Sequence, residues 1–153
     1  QLGFAQALET MVQEKQVPLL GICVGAQLLT RGSEEGTESG LGWIDAVTRR
    51  FPISDRPNYK VPHMGWNFAV PPRQHPLFAG FETPPRFYFV HSYFMQCDRS
   101  ESVMSLTTHG LEFASGIVKG NIAGVQFHPE KSHRFGMQLL KNFATFTLPA
   151  GSP

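Results

Sequence analysis

Cysteine is scarce. Cys23 and Cys97 are the two in a chain of 153 residues, too few for a disulfide framework. Charge is sparse as well: Asp, Glu, Lys and Arg make up 16% of the sequence and the net charge is +1, so nothing in the composition points to nucleic acid or an anionic membrane as a partner. No apolar run approaches the ~20 residues of a membrane-spanning helix. No secretory signal opens the chain, which makes the cytoplasm the expected compartment. An initiator Met is missing too. Residues 1–16 already read as a helix, with Phe4, Leu8, Met11 and Val12 at helical spacing, so the chain is expected to be an amino-terminally shortened piece of an α/β domain.

What is present suffices for a core. The hydrophobic fraction is 41%, and the pattern shows neither an internal repeat nor a linker. One domain over residues 1–148 with a frayed tail over 149–153 is therefore expected. Residues 17–23 read as a buried parallel strand and 25–31 as a helix. The Gly-, Ser- and Glu-rich stretch 32–42 reads as a loop, 43–47 as a strand, and 52–57 as turn-like. Residues 66–70 can form a strand, followed by a proline-punctuated connection over 71–76. The aromatic, β-branched run 86–95 reads as one strand. Residues 102–108, 112–118 and 122–127 look like successive antiparallel strands with turns at Gly110 and Gly120-Asn121. Ser132 can cap a final helix with an apolar stripe of Phe135, Leu139, Leu140, Phe143 and Phe146.

Two runs carry chemistry. In Leu19-Leu20-Gly21-Ile22-Cys23-Val24-Gly25 an apolar strand enters a glycine-flanked turn with a helix beyond. The Cys23 sulfur is thus expected at a strand's carboxyl end and a helix's amino end, where backbone N–H groups favour a thiolate. In Gln126-Phe127-His128-Pro129-Glu130-Lys131, an extended segment lets His128 and Glu130 point the same way, and Pro129 biases His128 toward extended geometry. Cys23 would then attack a carbonyl or carboxamide carbon, His128 would carry the proton, and Glu130 would orient His128. The Val24 backbone N–H is placed to donate to an oxyanion. Taken singly, a cysteine at a β–α junction also reads as a packed small apolar residue, and Cys97 has no catalytic context. The histidines His63, His75, His91, His109, His128 and His133 form no His-x-x-x-His pair and lie near no cysteine cluster. No metal or other cofactor is expected.

The run 21–29 together with Phe127-His128-Pro129-Glu130 resembles the class I, triad-type glutamine amidotransferases. Ser33-Glu34-Glu35-Gly36, Pro62-His63-Met64-Gly65-Trp66-Asn67, Phe87-Tyr88-Phe89-Val90-His91-Ser92-Tyr93 and the stretch 124–133 narrow the likeness to the glutaminase subunits of imidazole glycerol phosphate synthase, over about residues 18–146. That resemblance implies a flavodoxin-like α/β fold with a mostly parallel central sheet, helices on both faces and an antiparallel strand section. It implies hydrolysis of glutamine to glutamate and ammonia through a thioester on Cys23, with ammonia channelled to a (β/α)₈-barrel synthase partner in histidine biosynthesis. By motif, Val24, Gln27, Glu35, His91, Ser92 and Tyr93 would bind glutamine, and Pro62, His63, Met64, Trp66 and Lys131 would face the partner. Val24 and Ala26 stand where the family usually has Leu and Met. The family's first strands and a Pro-Gly-containing oxyanion strand have no counterpart here, so the activity is expected of the longer parent protein, and the isolated chain is expected to be inactive or poorly folded. Gly42-Trp43-Ile44 and the stretch 131–137 resemble the branch that feeds amidation of surface-polysaccharide sugars, which leaves the ammonia acceptor open. Two further readings are a thiol hydrolase of the α/β-hydrolase type, disfavoured because His128 precedes Glu130, and a non-catalytic complex-forming module.

Overall fold

A computed structural model describes residues 2–52 and 59–146. Helix α1 (Leu2–Glu9) passes into a wider π-helical turn over Thr10–Glu14. Of the apolar stripe there, Val12 is buried and Leu8 packs beside it, while Phe4 and Met11 are exposed. Strand β1 (Leu19–Ile22) and the short helix α2 (Val24–Leu28) follow, then β2 (Ala46–Arg50), β3 (His63–Phe68), β4 (Arg86–His91) and β5 (Tyr93–Cys97). The chain continues through β6 (Val103–His109), β7 (Leu111–Lys119), β8 (Ile122–Val125) and α3 (His133–Ala144). The expected turn over residues 52–57 falls almost wholly outside the described residues.

The main sheet runs β1-β8-β7-β5-β2, with β6 also on β7, and β3 and β4 form a separate ribbon. Side chains alternate across it with the strand period of two. On β8, Ala123 and Val125 join a core that includes Phe87, Phe89, Phe113, Phe127 and Leu139 of α3. Ile122 of β8 faces the other way, into a core with Val12, Ala26, Leu29, Met95 and Ile117. Helices therefore cover both faces, as expected for this class. The balance of the sheet is corrected: β1–β8 is parallel, and the other pairings among the named strands are antiparallel, so the sheet is mixed rather than mostly parallel.

Two strand expectations are also corrected. The run 86–95 is two strands, not one. His91 ends a ladder against His63 in the ribbon, whereas Tyr93 begins a ladder against Arg50 in the main sheet. Between them the Ser92 carbonyl accepts from the Phe51 N–H at 3.0 Å. Strand β2 starts three residues later than the aromatic pattern suggested, because Ile44 N–H is taken by Leu29 O and the ladder runs on through Arg49 and Arg50. Its charged end is tied down by the ion pair of Arg49 with Glu34, 2.8 Å apart. The turns at Gly110 and Gly120 fall where expected.

Candidate active site

Cys23 is carried by the β1–α2 turn with φ 52° and ψ −111°, a backbone region that residues with a Cβ seldom occupy. The turn is tight because Gly21 has no side chain: a Cβ there would lie 2.7 Å from Gly25 O and 2.8 Å from Ala26 N. The parallel register Gly21↔Gly124 and Ile22↔Val125 brings the end of β8 alongside the nucleophile. Cys23 N–H donates to Val125 O at 2.8 Å. One residue on, the fully buried Gln126 turns its amide toward Cys23, with Nε2 3.7 Å from Sγ.

His128 sits two residues past that, its backbone N–H on Tyr88 O at 2.9 Å. Its Nδ1 lies 2.7 Å from Glu130 Oε1. The two side chains meet because a short 3₁₀ turn over Pro129–Lys131 folds Glu130 back, not because the segment stays extended as the sequence suggested. A carboxylate only accepts, so the proton of neutral His128 is on Nδ1 and Nε2 presents its lone pair. Nε2 is buried and has no hydrogen-bond partner among the described residues, which leaves it open for the proton of a nucleophile. Ser132 occupies the cap position of α3, but its hydroxyl is used elsewhere: Oγ donates to His128 O at 2.6 Å and accepts from Tyr88 N–H at 2.9 Å. It therefore braces the histidine rather than capping the helix. Gly136 completes the brace, since a Cβ there would collide with the Pro129 carbonyl.

The thiol itself departs from expectation. Burial raises its pKa above the ordinary cysteine value. The Val24 backbone N–H and the Gln126 amide pull it back down, and the charges of Glu130 and Glu35 push it up again. Desolvation outweighs the helix end, so at rest Cys23 holds its proton and needs a base to release it. Cys97, half-buried beside Asp98, is raised further, to about 11, by loss of solvent first and that carboxylate second.

A cleft of about 330 Å³ opens beside Cys23, lined also by Val24, Gln27, Glu35, Pro62, Val90, His91, Ser92 and Tyr93. All six residues expected to bind glutamine thus meet around the cysteine. Of the five expected at a partner face, Met64 is 63% and Trp66 44% exposed, and Lys131 is exposed. Trp66 stacks on His133 with the ring planes 5° apart. Pro62 lies at the cleft rather than on that face. His63 is corrected: its ring is buried, bonded to His91, and closed to a partner. Gln126 was missed as a site residue, although it stands inside a motif that carries the family likeness. The signal for Gln126 was a lone amide in an otherwise apolar strand end. No cluster of His, Cys, Asp or Glu among the described residues is arranged to hold a metal ion.

The profile of the family "Glutamine amidotransferase class-I" matches residues 2–146. The chain is 48% identical over 143 residues to imidazole glycerol phosphate synthase subunit HisH of Bdellovibrio bacteriovorus, covering 93% of this chain and 70% of that protein. It is 46% identical over 141 residues to subunit HisH 2 of Pseudomonas aeruginosa, with 92% and 69% covered. Over 153 residues it is 47% identical to subunit HisH of Moorella thermoacetica, with 99% and 70% covered. Among solved structures, a glutamine amidotransferase from Thermotoga maritima superposes with a TM-score of 0.61 at 22% identity, over 94% of this chain and 54% of that one. A protein of Thermoplasma acidophilum named as a GMP synthase subunit gives 0.66 at 20% identity, over 94% and 64%. The chain belongs to the class I glutamine amidotransferase family, in the branch of the HisH subunits of imidazole glycerol phosphate synthase. It spans about 70% of the length of those curated relatives and a smaller share of the solved structures.

Proposed function

We propose that this chain carries the glutaminase site of a HisH-type protein and hydrolyses L-glutamine to glutamate and ammonia with Cys23, His128 and Glu130. The observation that supports this best is a cysteine on a strained strand-to-helix turn, held by parallel register beside the strand end that leads to His128, whose Nδ1 is fixed on Glu130 and whose Nε2 has no partner among the described residues. As the Cys23 sulfur bonds to the carboxamide carbon, its proton passes to His128 Nε2. The C–N bond then breaks, the proton leaves with the amide nitrogen as ammonia, and a glutamyl thioester remains. Water, deprotonated by the same imidazole, releases glutamate and the thiol. The Val24 N–H would stabilise the oxyanion. Gln27, Glu35 and the backbone of His91, Ser92 and Tyr93 would hold the glutamine.

Ammonia would pass to a (β/α)₈-barrel synthase partner in histidine biosynthesis, in the cytoplasm. The exposed Met64, Trp66 and Lys131 would form the docking face, with apolar surface sealing the route. The test is a diazo-ketone analogue of glutamine. It is expected to label Cys23 and to leave a Cys23→Ala variant unmarked; an unlabelled Cys23 in folded protein would reject the glutaminase reading.

A further inference from the structure

Asn67, on β3, begins a series of hydrogen bonds whose direction is fixed at both ends. Its Oδ1 accepts from Phe68 N–H at 2.8 Å, which settles which end of the amide is the NH₂. That NH₂ donates to Thr108 O at 2.9 Å and to His63 Nε2 at 3.1 Å. A ring nitrogen that accepts carries no proton, so His63 is protonated on Nδ1, which faces His91 Nε2 at 2.9 Å. The far end makes the same demand independently. His91 Nδ1 lies 2.6 Å from Tyr93 O, and a carbonyl can only accept. His91 is therefore protonated on Nδ1, which leaves its Nε2 to accept from His63.

The series continues past Tyr93. The same carbonyl accepts a second hydrogen bond from Gln27 Nε2 at 3.4 Å. The other N–H of that amide goes to Gln126 Oε1 at 3.1 Å. With its oxygen so engaged, Gln126 must turn its NH₂ to the Cys23 sulfur.

We propose that Asn67, His63, His91, the Tyr93 carbonyl, Gln27 and Gln126 form one chain in which the Tyr93 carbonyl, able only to accept, sets the direction on both sides and aims the Gln126 N–H at the Cys23 sulfur, so that Gln27 and Gln126 are positioning residues for the nucleophile. The chain requires both rings neutral, and they are: burial first, then neighbouring histidines, pushes His63 down to about 3 and His91 to about 4. Its origin matters. Met64, Trp66 and Phe68, the alternate residues of β3, are exposed, so the strand that starts the chain is the one whose outer face we assign to the partner. The inference deepens the glutaminase reading and takes its meaning from it, but the states of the rings do not depend on turnover.

Nitrogen-15 NMR of the imidazole rings in labelled protein reads the tautomers directly. Both His63 and His91 are expected to be neutral and protonated on Nδ1 near neutral pH. A proton on Nε2 of either ring overturns the chain. Gln27→Met removes the donor that joins the Tyr93 carbonyl to Gln126. It is expected to keep both tautomers and to slow alkylation of Cys23 by iodoacetamide at mildly basic pH by about three- to tenfold, the effect of up to one pKa unit. Asn67→Ala, which supplies no competing acceptor, is expected to keep both tautomers and an alkylation rate within about twofold of the parent, since the Tyr93 end still sets the direction. An unchanged alkylation rate in Gln27→Met would show that the chain ends at Tyr93 and would refute its reach to the thiol. Should Gln27→Met not fold, Gln126→Met removes the N–H at the sulfur itself. It is expected to slow alkylation to the same degree, and an unchanged rate overturns the proposal. Alkylation by iodoacetamide needs no glutamine site, so a failure here is distinct from a failure of the diazo-ketone labelling.

Discussion

The backbone at Cys23, with φ 52° and ψ −111°, holds strain of about 1–3 kcal/mol for a residue with a Cβ. That strain aims the sulfur into the cleft, and it gives a stability signature separate from chemistry. Cys23→Gly is expected to be more stable than Cys23→Ala by about 1 kcal/mol, or roughly 2–4 °C in melting temperature for a domain of this size. Thermal melts of the two variants check it; equal melting temperatures would mean the turn is unstrained. Glu130→Gln tests the other arm. The amide can still meet His128 Nδ1 but cannot stabilise the imidazolium or enforce the tautomer, so kcat is expected to fall by about 10²-fold. Steady-state ammonia release by the partner-bound enzyme measures this, and an unchanged kcat removes Glu130 from the triad. At this scale the placement of Cys23 on a strand-to-helix turn and the pairing of His128 with Glu130 were legible, because each is set within one short run of sequence. Gln126 was not legible, since an amide declares no direction until its neighbours are known in space.

Strand β3 shows why elements were harder to read than residues. Its alternation is clean: His63 is buried, whereas Met64, Trp66 and Phe68 are exposed. In sequence that pattern does not tell which face meets the core, and the whole motif read as partner surface. The ribbon of β3 and β4 settles it by placing His63 against His91. The break between β4 and β5 at Ser92 was hidden for a similar reason. Aromatic and β-branched residues run through it unbroken, and what changes is the sheet each half pairs with. Trp66, held flat on His133, is the large rigid side chain on the exposed face. Trp66→Ala is expected to weaken capture of the proposed synthase partner by tenfold or more, as about 2 kcal/mol at an anchoring aromatic implies. Labelling of Cys23 by the glutamine analogue should remain. A pull-down with the variant checks the first outcome, and undiminished capture would move the docking face elsewhere.

For the molecule as a whole, the buried imidazoles set how stability follows pH. His63 and His91 titrate at about 3 and 4 in the fold, below the ordinary value of about 6.5 that they regain on unfolding. Below about pH 6.5 the unfolded chain therefore binds protons that the native chain refuses. Stability that is complete above that point is lost as the pH falls toward 4. Melting temperature is expected to decline from about pH 7 to about pH 5, and to decline less steeply in His63→Gln. A flat profile over that interval would show that the two rings are already charged or exposed in the native protein. The fold class was legible at this scale from the order of strands and turns. The mixed balance of the sheet was not, because whether neighbours run parallel depends on which strands meet, and sequence order alone leaves that open.

The parallel pairing of β1 with β8 also has a consequence in time. Cys23 and Gln126 stand 103 positions apart in the chain, yet they are near neighbours across adjacent strands. During synthesis at about 5–20 residues per second, the thiol leaves the ribosome on the order of ten seconds before the segment that arms it. Through that interval a nascent chain carries a cysteine with no base beside it, and glutamine in the surrounding solution goes untouched. The site can form only once β8 pairs with β1, so labelling by a glutamine analogue, and not reactivity of the thiol in general, reports that this pairing is in place.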